Sequence, residues 1–184
     1  MSFYDNPIRQ DIAEACERVS RRLRTKLIVP VTISIPTTRE MRDLKSSWPR
    51  KGLDWSESTF FDHPSLCRFK VVIKTQNKVL GVVENCYEKE DEYHGLVLEQ
   101  IQRSVEKEHP LKGKLIAIFC ETNLELAKFL GVEKISIDRP VEGTIPKYEK
   151  LGFRILRSNQ AQYPYEAELD VKEDTQLNLR VFGL

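Results

Sequence analysis

Cysteine is scarce in this sequence, and its few copies lie far apart. The four cysteines are Cys16, Cys67, Cys86 and Cys120. None of them forms a C-x-x-C pair, so neither a structural zinc site nor a disulfide framework is predicted. The three histidines are not spaced like metal ligands either. We therefore expect reduced thiols in a protein core and no metal.

Long apolar runs and an excess of charge are also absent. No stretch approaches the roughly 18 apolar residues of a membrane span, and the N-terminus has no basic start followed by an apolar segment. Lysine and arginine total 29 against 28 acidic residues, so the net charge of +1 gives no overall attraction to nucleic acid or membranes. With 184 residues, of which 40% are hydrophobic, we expect one cytoplasmic domain spanning residues 1–184.

The N-terminal half predicts a helix followed by strands. Apolar residues recur every three or four positions over residues 7–25, which predicts an amphipathic helix. Residues 27–35 are rich in β-branched side chains and predict a strand, and Pro30 favours the edge of a sheet because it cannot donate to a ladder. Residues 68–74 and 78–84 predict the two strands of a hairpin.

The C-terminal half alternates strands and helices. Residues 96–105 predict a strand, and a strongly apolar helix follows the loop around Gly113. A strand over residues 132–137 completes a βαβ unit, and the tail, around residues 169–171 and 177–182, predicts a last strand. This order predicts an α+β fold with a mixed sheet and helices on both faces.

A glycine-containing loop, Pro110-Leu-Lys-Gly-Lys-Leu115, lies between the predicted strand and helix. The first N–H groups of a helix are unpaired and its dipole favours an anion, so such a loop is a recurrent phosphate-binding element. Gly113 would let the backbone approach a ligand, and Lys112 and Lys114 add positive charge. An ordinary helix start is the competing interpretation.

Two segments resemble the GNAT family of N-acetyltransferases, which bind acetyl-coenzyme A. Residues 105–115 are similar, without a gap, to the end of the family's fourth strand and its pyrophosphate loop, Q/R-x-x-G-x-G/A. Gly113 falls on the first glycine of that pattern. Residues 148–153, Tyr-Glu-Lys-Leu-Gly-Phe, resemble the family's Y-x-K-x-G-F ending, which is the more specific of the two matches.

The resemblance covers about residues 68–157 and leaves the helix over residues 7–25 and the tail over residues 158–184 as less typical additions. It implies a central, mixed, mostly antiparallel twisted sheet of six to seven strands. It also implies acetyl-coenzyme A as co-substrate, held by the backbone at the end of one strand and at the pyrophosphate loop. The cofactor-binding residues on these segments are Arg103, Ser104, Val105, Lys112, Gly113, Lys114 and Leu115.

The resemblance further implies acetyl transfer to an amine, made directly in a ternary complex. Such a transfer needs a base for the incoming ammonium and an acid for the departing thiolate. Glu99 matches the position of the glutamate base in histone-acetylating members, and Tyr148 matches the tyrosine that protonates the thiolate. An exposed strand glutamate and a buried core tyrosine are the competing interpretations. The acceptor stays open between a small molecule, a protein and an aminoacyl-tRNA, as does a homodimer.

Departures from the family pattern leave other functions open. Pro110 stands where the family prefers Gln or Arg, and Leu115 where it prefers Gly or Ala, which fits a catalytically degenerate binding or regulatory module. A basic cluster on the first predicted helix is compatible with nucleic-acid binding, with a solvated helix face as the competing interpretation. Its residues are Arg18, Arg21, Arg22, Arg24 and Lys26.

Overall fold

A computed structural model describes residues 7–48, 57–76, 78–90, 93–104, 109–157 and 165–184. In this part of the chain the α-helices are α1 (Pro7–Arg24), α2 (Thr38–Ser47), α3 (Leu115–Leu130) and α4 (Ile145–Leu151). The β-strands are β1 (Thr32–Ser34), β2 (Phe60–Asp62), β3 (Leu66–Thr75), β4 (Lys78–Glu90), β5 (Tyr93–Arg103), β6 (Lys134–Ile137), β7 (Arg154–Arg157) and β8 (Tyr165–Asp170).

The strands form one mixed sheet. Their order is β1-β3-β4-β5-β6-β8-β7, and β2 pairs with β3 beside this path. The β5–β6 pair is parallel, and the other neighbours are antiparallel. The predicted fold class is therefore confirmed, with seven strands on the main path and the short β2 as an addition.

Helix α1 confirms the predicted amphipathic helix. Its apolar stripe, which includes Ile12, Cys16 and Val19, is buried, and α1 packs mainly against α3 and β1. Ser20 links the helix to β1 through a hydrogen bond, because its Oγ accepts from the N–H of Ile33 at 2.9 Å. The expected capping residue Asn6 lies outside the described residues.

Strand β1 is shorter than the predicted strand over residues 27–35. Leu27 still belongs to the turn that ends α1, since its N–H donates to the carbonyl of Leu23 at 3.0 Å. Pro30 has no N–H to give to a ladder, and pairing with β3 begins only at Thr32. The expected edge position is confirmed, because β1 is the first strand of the sheet.

Helices cover both faces of the sheet, as predicted. Alternate residues of a strand point to opposite faces, so β3 divides its apolar side chains between two clusters. Val71 and Ile73 belong to the large core, and Val72 packs with Met41 and Leu44 of α2 on the other face. Thr37 caps α2, because its side chain accepts from the N–H of Glu40 while Glu40 bonds back to the N–H of Thr37.

The βαβ unit consists of β5, α3 and β6. Helix α3 begins at Leu115 and ends at Leu130, followed by Gly131 with a left-handed φ of 66°. An L residue with a side chain is strained in that conformation, so glycine suits the helix end. The expected helix and its stop are confirmed.

The C-terminal tail differs from the sequence-based expectation. The strand that it contributes is β8, which pairs with both β6 and β7, whereas Leu179–Phe182 form a 3₁₀ helix. The prediction of a strand over residues 177–182 is wrong, because Lys128 Nζ binds the carbonyls of Glu173 and Thr175 and directs the tail along α3. Among the described helices, none is long and apolar enough to cross a membrane.

Candidate active site

The parallel strands β5 and β6 separate halfway along β5. They pair from Gly95 opposite Lys134 to Leu98 opposite Ile137, and one further hydrogen bond joins the N–H of Asp138 to the carbonyl of Leu98 at 3.0 Å. Beyond this point β5 remains paired with β4, and a cleft of about 360 Å³ takes the place of β6. Its lining includes Glu99, Gln100, Ile101, Ile116, Asp138 and Tyr148.

A β-bulge places Glu99 at the start of this cleft. Asn85 of β4 lies opposite Leu98 and Glu84 lies opposite Gln100, so Glu99 is an extra residue with no opposing partner. Bulges re-aim a side chain and increase the local bend of a strand. Glu99 directs its carboxylate to Arg68 of β3, with Nη2 at 3.1 Å from Oε1.

The surroundings of Glu99 favour proton uptake. Its side chain is only 21% exposed, and burial raises the pKa of the carboxyl group. The charges of Glu84 and Asp138 act in the same direction, whereas Arg68 opposes them, and the net direction is upward. A carboxylate with a raised pKa is a stronger base than an exposed one, which is what removal of a proton from an ammonium requires.

Tyr148 lies on α4 at the other side of the cleft and is 4% exposed. Burial raises the pKa of its hydroxyl strongly and Cys120 adds to this effect, while a hydrogen bond with Thr144 opposes it. The phenol therefore keeps its proton at neutral pH. The structure thus brings Glu99 and Tyr148, which are distant in sequence, to one cleft.

The Tyr-Glu-Lys-Leu-Gly-Phe segment forms the end of α4. Gly152 follows the helix with a φ of 107°, and the N–H of Phe153 donates to the carbonyl of Tyr148 at 3.0 Å. This turn brings the ring of Phe153 edge-on to Tyr148, with centroids 5.8 Å apart. The spacing of tyrosine, glycine and phenylalanine in the sequence is therefore what fixes the ring of Tyr148.

His109 anchors the loop before α3. Its Nδ1 accepts a hydrogen bond from the N–H of Leu111 at 3.1 Å, so the proton of a neutral ring is on Nε2. Nε2 lies 2.8 Å from the carbonyl of Leu80 and donates to it, and the residue is buried. His109 therefore holds the loop against β4, which gives it a structural role.

Gly113 and the start of α3 form an open loop surface. Gly113 has a φ of 81°, and among the described residues no atom beyond its two chain neighbours lies within 4 Å of the position that a Cβ would take. The first hydrogen bond from α3 back to the loop is from Ile118 to Lys114, so the preceding N–H groups of the helix have no partner within it. Lys112 is exposed, while Lys114 Nζ donates to the carbonyl of Gly183 at 3.0 Å.

Leu115, which departs from the family pattern, is accommodated by a glycine on β4. Its side chain is buried, and a Cβ added to Gly81 would lie 2.6 Å from Leu115 Cδ1. Because Gly81 has no side chain, Leu115 fills the core at the start of α3. Its side chain is therefore part of the packing between α3 and β4 and does not cover the exposed Gly113 loop.

The backbone of β5 turns toward the side that β6 leaves at different residues from those expected. The N–H of Ser104 donates to the carbonyl of Leu80 on β4 at 2.9 Å, and the Ser104 side chain is buried. Alternate residues of an antiparallel strand bond to the same neighbour, so Gln102 also faces β4. Ile101 and Arg103 face the side where β6 no longer pairs. Val105 lies outside the described residues.

Sequence reasoning missed Arg68 and Asp138 as neighbours of Glu99. The contact of Arg68 with Glu99 depends on the register of three strands and on the bulge, neither of which has a sequence signal here. The only available signal for Asp138 was its place just after a predicted strand in a βαβ unit, because ligands often bind beyond the carboxyl ends of parallel strands.

The basic cluster of α1 forms ion pairs with carboxylates. Arg18 contacts Glu125, and Arg22 contacts both Glu121 and Glu125 of α3 at 3.0 and 2.8 Å. Arg21 pairs with a glutamate of its own helix. These contacts connect α1 to α3, and nucleic-acid binding by this surface stays a prediction.

No family model and no curated protein matches the sequence. Solved structures do match: the GNAT domain of S. lividans PAT has a TM-score of 0.56 at 10% identity, over 77% of this chain and 90% of that chain. A GNAT acetyltransferase from Streptococcus pneumoniae has a TM-score of 0.52 at 13% identity, over 77% of this chain and 99% of that chain. PaiA N-acetyltransferase from Thermoplasma acidophilum, in complex with coenzyme A, has a TM-score of 0.52 at 11% identity, over 76% of this chain and 98% of that chain. The chain therefore has the fold of the GNAT acetyltransferases.

Proposed function

We propose that this chain transfers an acetyl group from acetyl-coenzyme A directly to an amine. The observation that carries the proposal is the cleft between the separated strands, which is lined by both Glu99 and Tyr148. Glu99 has a carboxylate of raised pKa beside three other charged groups, and Tyr148 has a buried hydroxyl that stays protonated.

Acetyl-coenzyme A would lie along the cleft and the Gly113 loop as an extended substrate. The pantetheine amides would pair with the backbone of Ile101 and Arg103, which continue the β5 edge that Leu98 presents to β6. The pyrophosphate would bind at Gly113 and the N–H groups at the start of α3 that have no partner within the helix, with Lys112 nearby. Ser104 is left out of this assignment because its N–H bonds to β4.

The reaction needs two proton transfers around one acyl transfer. Glu99 takes a proton from the acceptor ammonium, and the neutral nitrogen then attacks the acetyl carbonyl carbon. As the new C–N bond forms and the C–S bond breaks, Tyr148 donates its proton to the departing thiolate. Its phenolate is then reprotonated from solvent, and Glu99 returns its proton there. No covalent enzyme intermediate is required, and Cys120 is buried in the core.

Calorimetric titration with acetyl-coenzyme A tests the substrate site. We expect wild-type binding with a Kd on the order of micromolar. Gly113→Asp places a side chain and a negative charge at a left-handed position beside the pyrophosphate and should weaken binding at least about tenfold. Gly131→Asp is the matched control, because it makes the same change at another glycine of positive φ at the far end of α3.

Two results would contradict the proposal. One is the absence of binding at millimolar acetyl-coenzyme A, which would favour a non-catalytic module with the same fold. The other is equal loss of affinity in folded Gly113→Asp and Gly131→Asp, which would mean that the variants act through stability. Circular dichroism of each variant establishes whether it is folded.

A further inference from the structure

Arg68 reaches Glu99 across an intervening strand. Arg68 of β3 lies directly opposite Cys86 of β4, and Cys86 lies opposite Val97 of β5. Residues opposite each other in a sheet share a face, and Glu99 follows Val97 by two positions. The arginine therefore spans about two strand spacings, roughly 10 Å, over the small side chain of Cys86. It ends with Nη2 at 3.1 Å from Glu99 Oε1.

The other carboxylates that face Glu99 have cations of their own. Glu84 pairs with Lys70 at 2.9 Å, and Asp138 pairs with Arg139 at 2.7 Å. Among the described residues, Arg68 is thus the cation that forms an ion pair with Glu99. It engages one carboxylate oxygen, and in the described part of the chain no residue donates a hydrogen bond to the other, Oε2.

We propose that Arg68 is a positioning residue for acetyl transfer, holding Oε1 of Glu99 so that Oε2 takes the proton of the acceptor amine. The inference rests on the proposed role of Glu99 as base. It explains why a half-exposed arginine crosses β4 to a largely buried carboxylate at the cleft. It also assigns separate tasks to the two oxygens, one held by the protein and one left for substrate.

The charge of Arg68 also acts on the protonation of the base. Burial raises the pKa of Glu99, as do Glu84 of β4 and Asp138 after β6, while Arg68 of β3 lowers it. The thiol of Cys86 faces the same carboxylate, and burial raises its pKa, so it stays neutral. Loss of Arg68 should therefore move the titration of Glu99 to higher pH and leave less of the base ionised in mildly acidic solution.

The experiment compares Arg68→Met, Arg68→Lys and Arg22→Met. Arg22 is the matched control, because it too is a half-exposed arginine paired with a largely buried glutamate of another element, Glu125, outside the cleft. The first readout is the titration of the Glu99 carboxyl carbon by ¹³C NMR in the free protein, with the signal assigned by its absence in Glu99→Gln. The second is the pH profile of kcat/KM with acetyl-coenzyme A and the primary amine of Nα-acetyl-lysinamide.

For Arg68→Met we expect titration at higher pH and a kcat/KM about threefold to tenfold lower at pH 6, with the difference shrinking as the pH rises. Arg68→Lys should lie between this variant and wild type, and Arg22→Met should match wild type in both readouts. An unshifted Glu99 titration in folded Arg68→Met would overturn the proposal, as would equal shifts in Arg68→Met and Arg22→Met.

The NMR readout does not depend on turnover, so the two proposals fail separately. If Glu99→Gln leaves the pH profile unchanged, Glu99 is not the base and both proposals fall. If Glu99→Gln removes the acidic limb while Arg68→Met leaves the limb and the NMR titration in place, only the role of Arg68 falls.

Discussion

The two halves of β5 show how one strand serves both the core and the candidate site. From Gly95 to Leu98 the strand has neighbours on both sides, and Leu96 and Leu98 are buried in the main core. From Glu99 onwards it has β4 on one side and the cleft on the other. The change from pairing on both sides to pairing on one side occurs at a single bulged residue, Glu99. The closed half supplies stability, and the open half turns backbone groups toward the side that β6 leaves.

Leu98→Ala should have the largest effect on the closed half. Its side chain is 2% exposed, and truncation of a buried leucine costs about 3 kcal/mol because contacts are lost and a cavity remains. Gln100→Ala, in the open half, should cost less than about 0.5 kcal/mol. Urea denaturation of both variants measures the difference. Equal losses of unfolding free energy in the two variants would mean that the two halves contribute alike to stability.

Glu99→Gln should remove the proposed catalytic base from the open half and leave the protein folded. We expect kcat to fall about 100-fold, since general base catalysis contributes on this order. The raised pKa of Glu99 predicts that wild-type turnover increases with pH above the ordinary titration range of a carboxyl group, as the carboxylate forms. That acidic limb should vanish in the variant. A limb that persists unchanged in Glu99→Gln would assign it to another group.

Tyr148→Phe should have the smallest of these three effects. It removes only the hydroxyl and keeps the ring contact with Phe153, so stability and acetyl-coenzyme A affinity should change little. Turnover should fall about tenfold, because water can replace the acid in part. Steady-state kinetics together with calorimetry separate the two quantities. Loss of affinity with unchanged kcat would reassign Tyr148 to substrate binding.

Local patterns predicted much of the fold. Apolar periodicity found α1 and α3, and the glycine after α3 marked its end correctly. The shortened β1 and the 3₁₀ helix of the tail were not predictable in this way. The first depends on where pairing with β3 can begin, and the second on Lys128 binding tail carbonyls far along the chain. Both are outcomes of contacts between distant residues.

For the candidate site, the sequence pointed to residues but not to their geometry. The motif resemblance pointed to Glu99, Gly113 and Tyr148, and the structure places two of them in one cleft. The partner Arg68 and the orientation of Ser104 depend on the phase of the β4–β5 ladder, which a bulge shifts by one residue. A single extra residue reverses which groups face a ligand, and no local pattern here encodes it.

Amide hydrogen exchange of β5 with and without coenzyme A tests whether the cleft is the acyl-donor site. The N–H of Ser104 bonds to β4, so strand alternation directs the N–H of Gln102 to β4 and those of Ile101 and Arg103 to the side where β6 no longer pairs. We expect coenzyme A to slow exchange at Ile101 and Arg103 at least about tenfold and to leave the exchange of Gln102 and Ser104, which face β4, unchanged. Unchanged exchange at Ile101 and Arg103 under saturating coenzyme A would contradict the assignment of this cleft as the acyl-donor site.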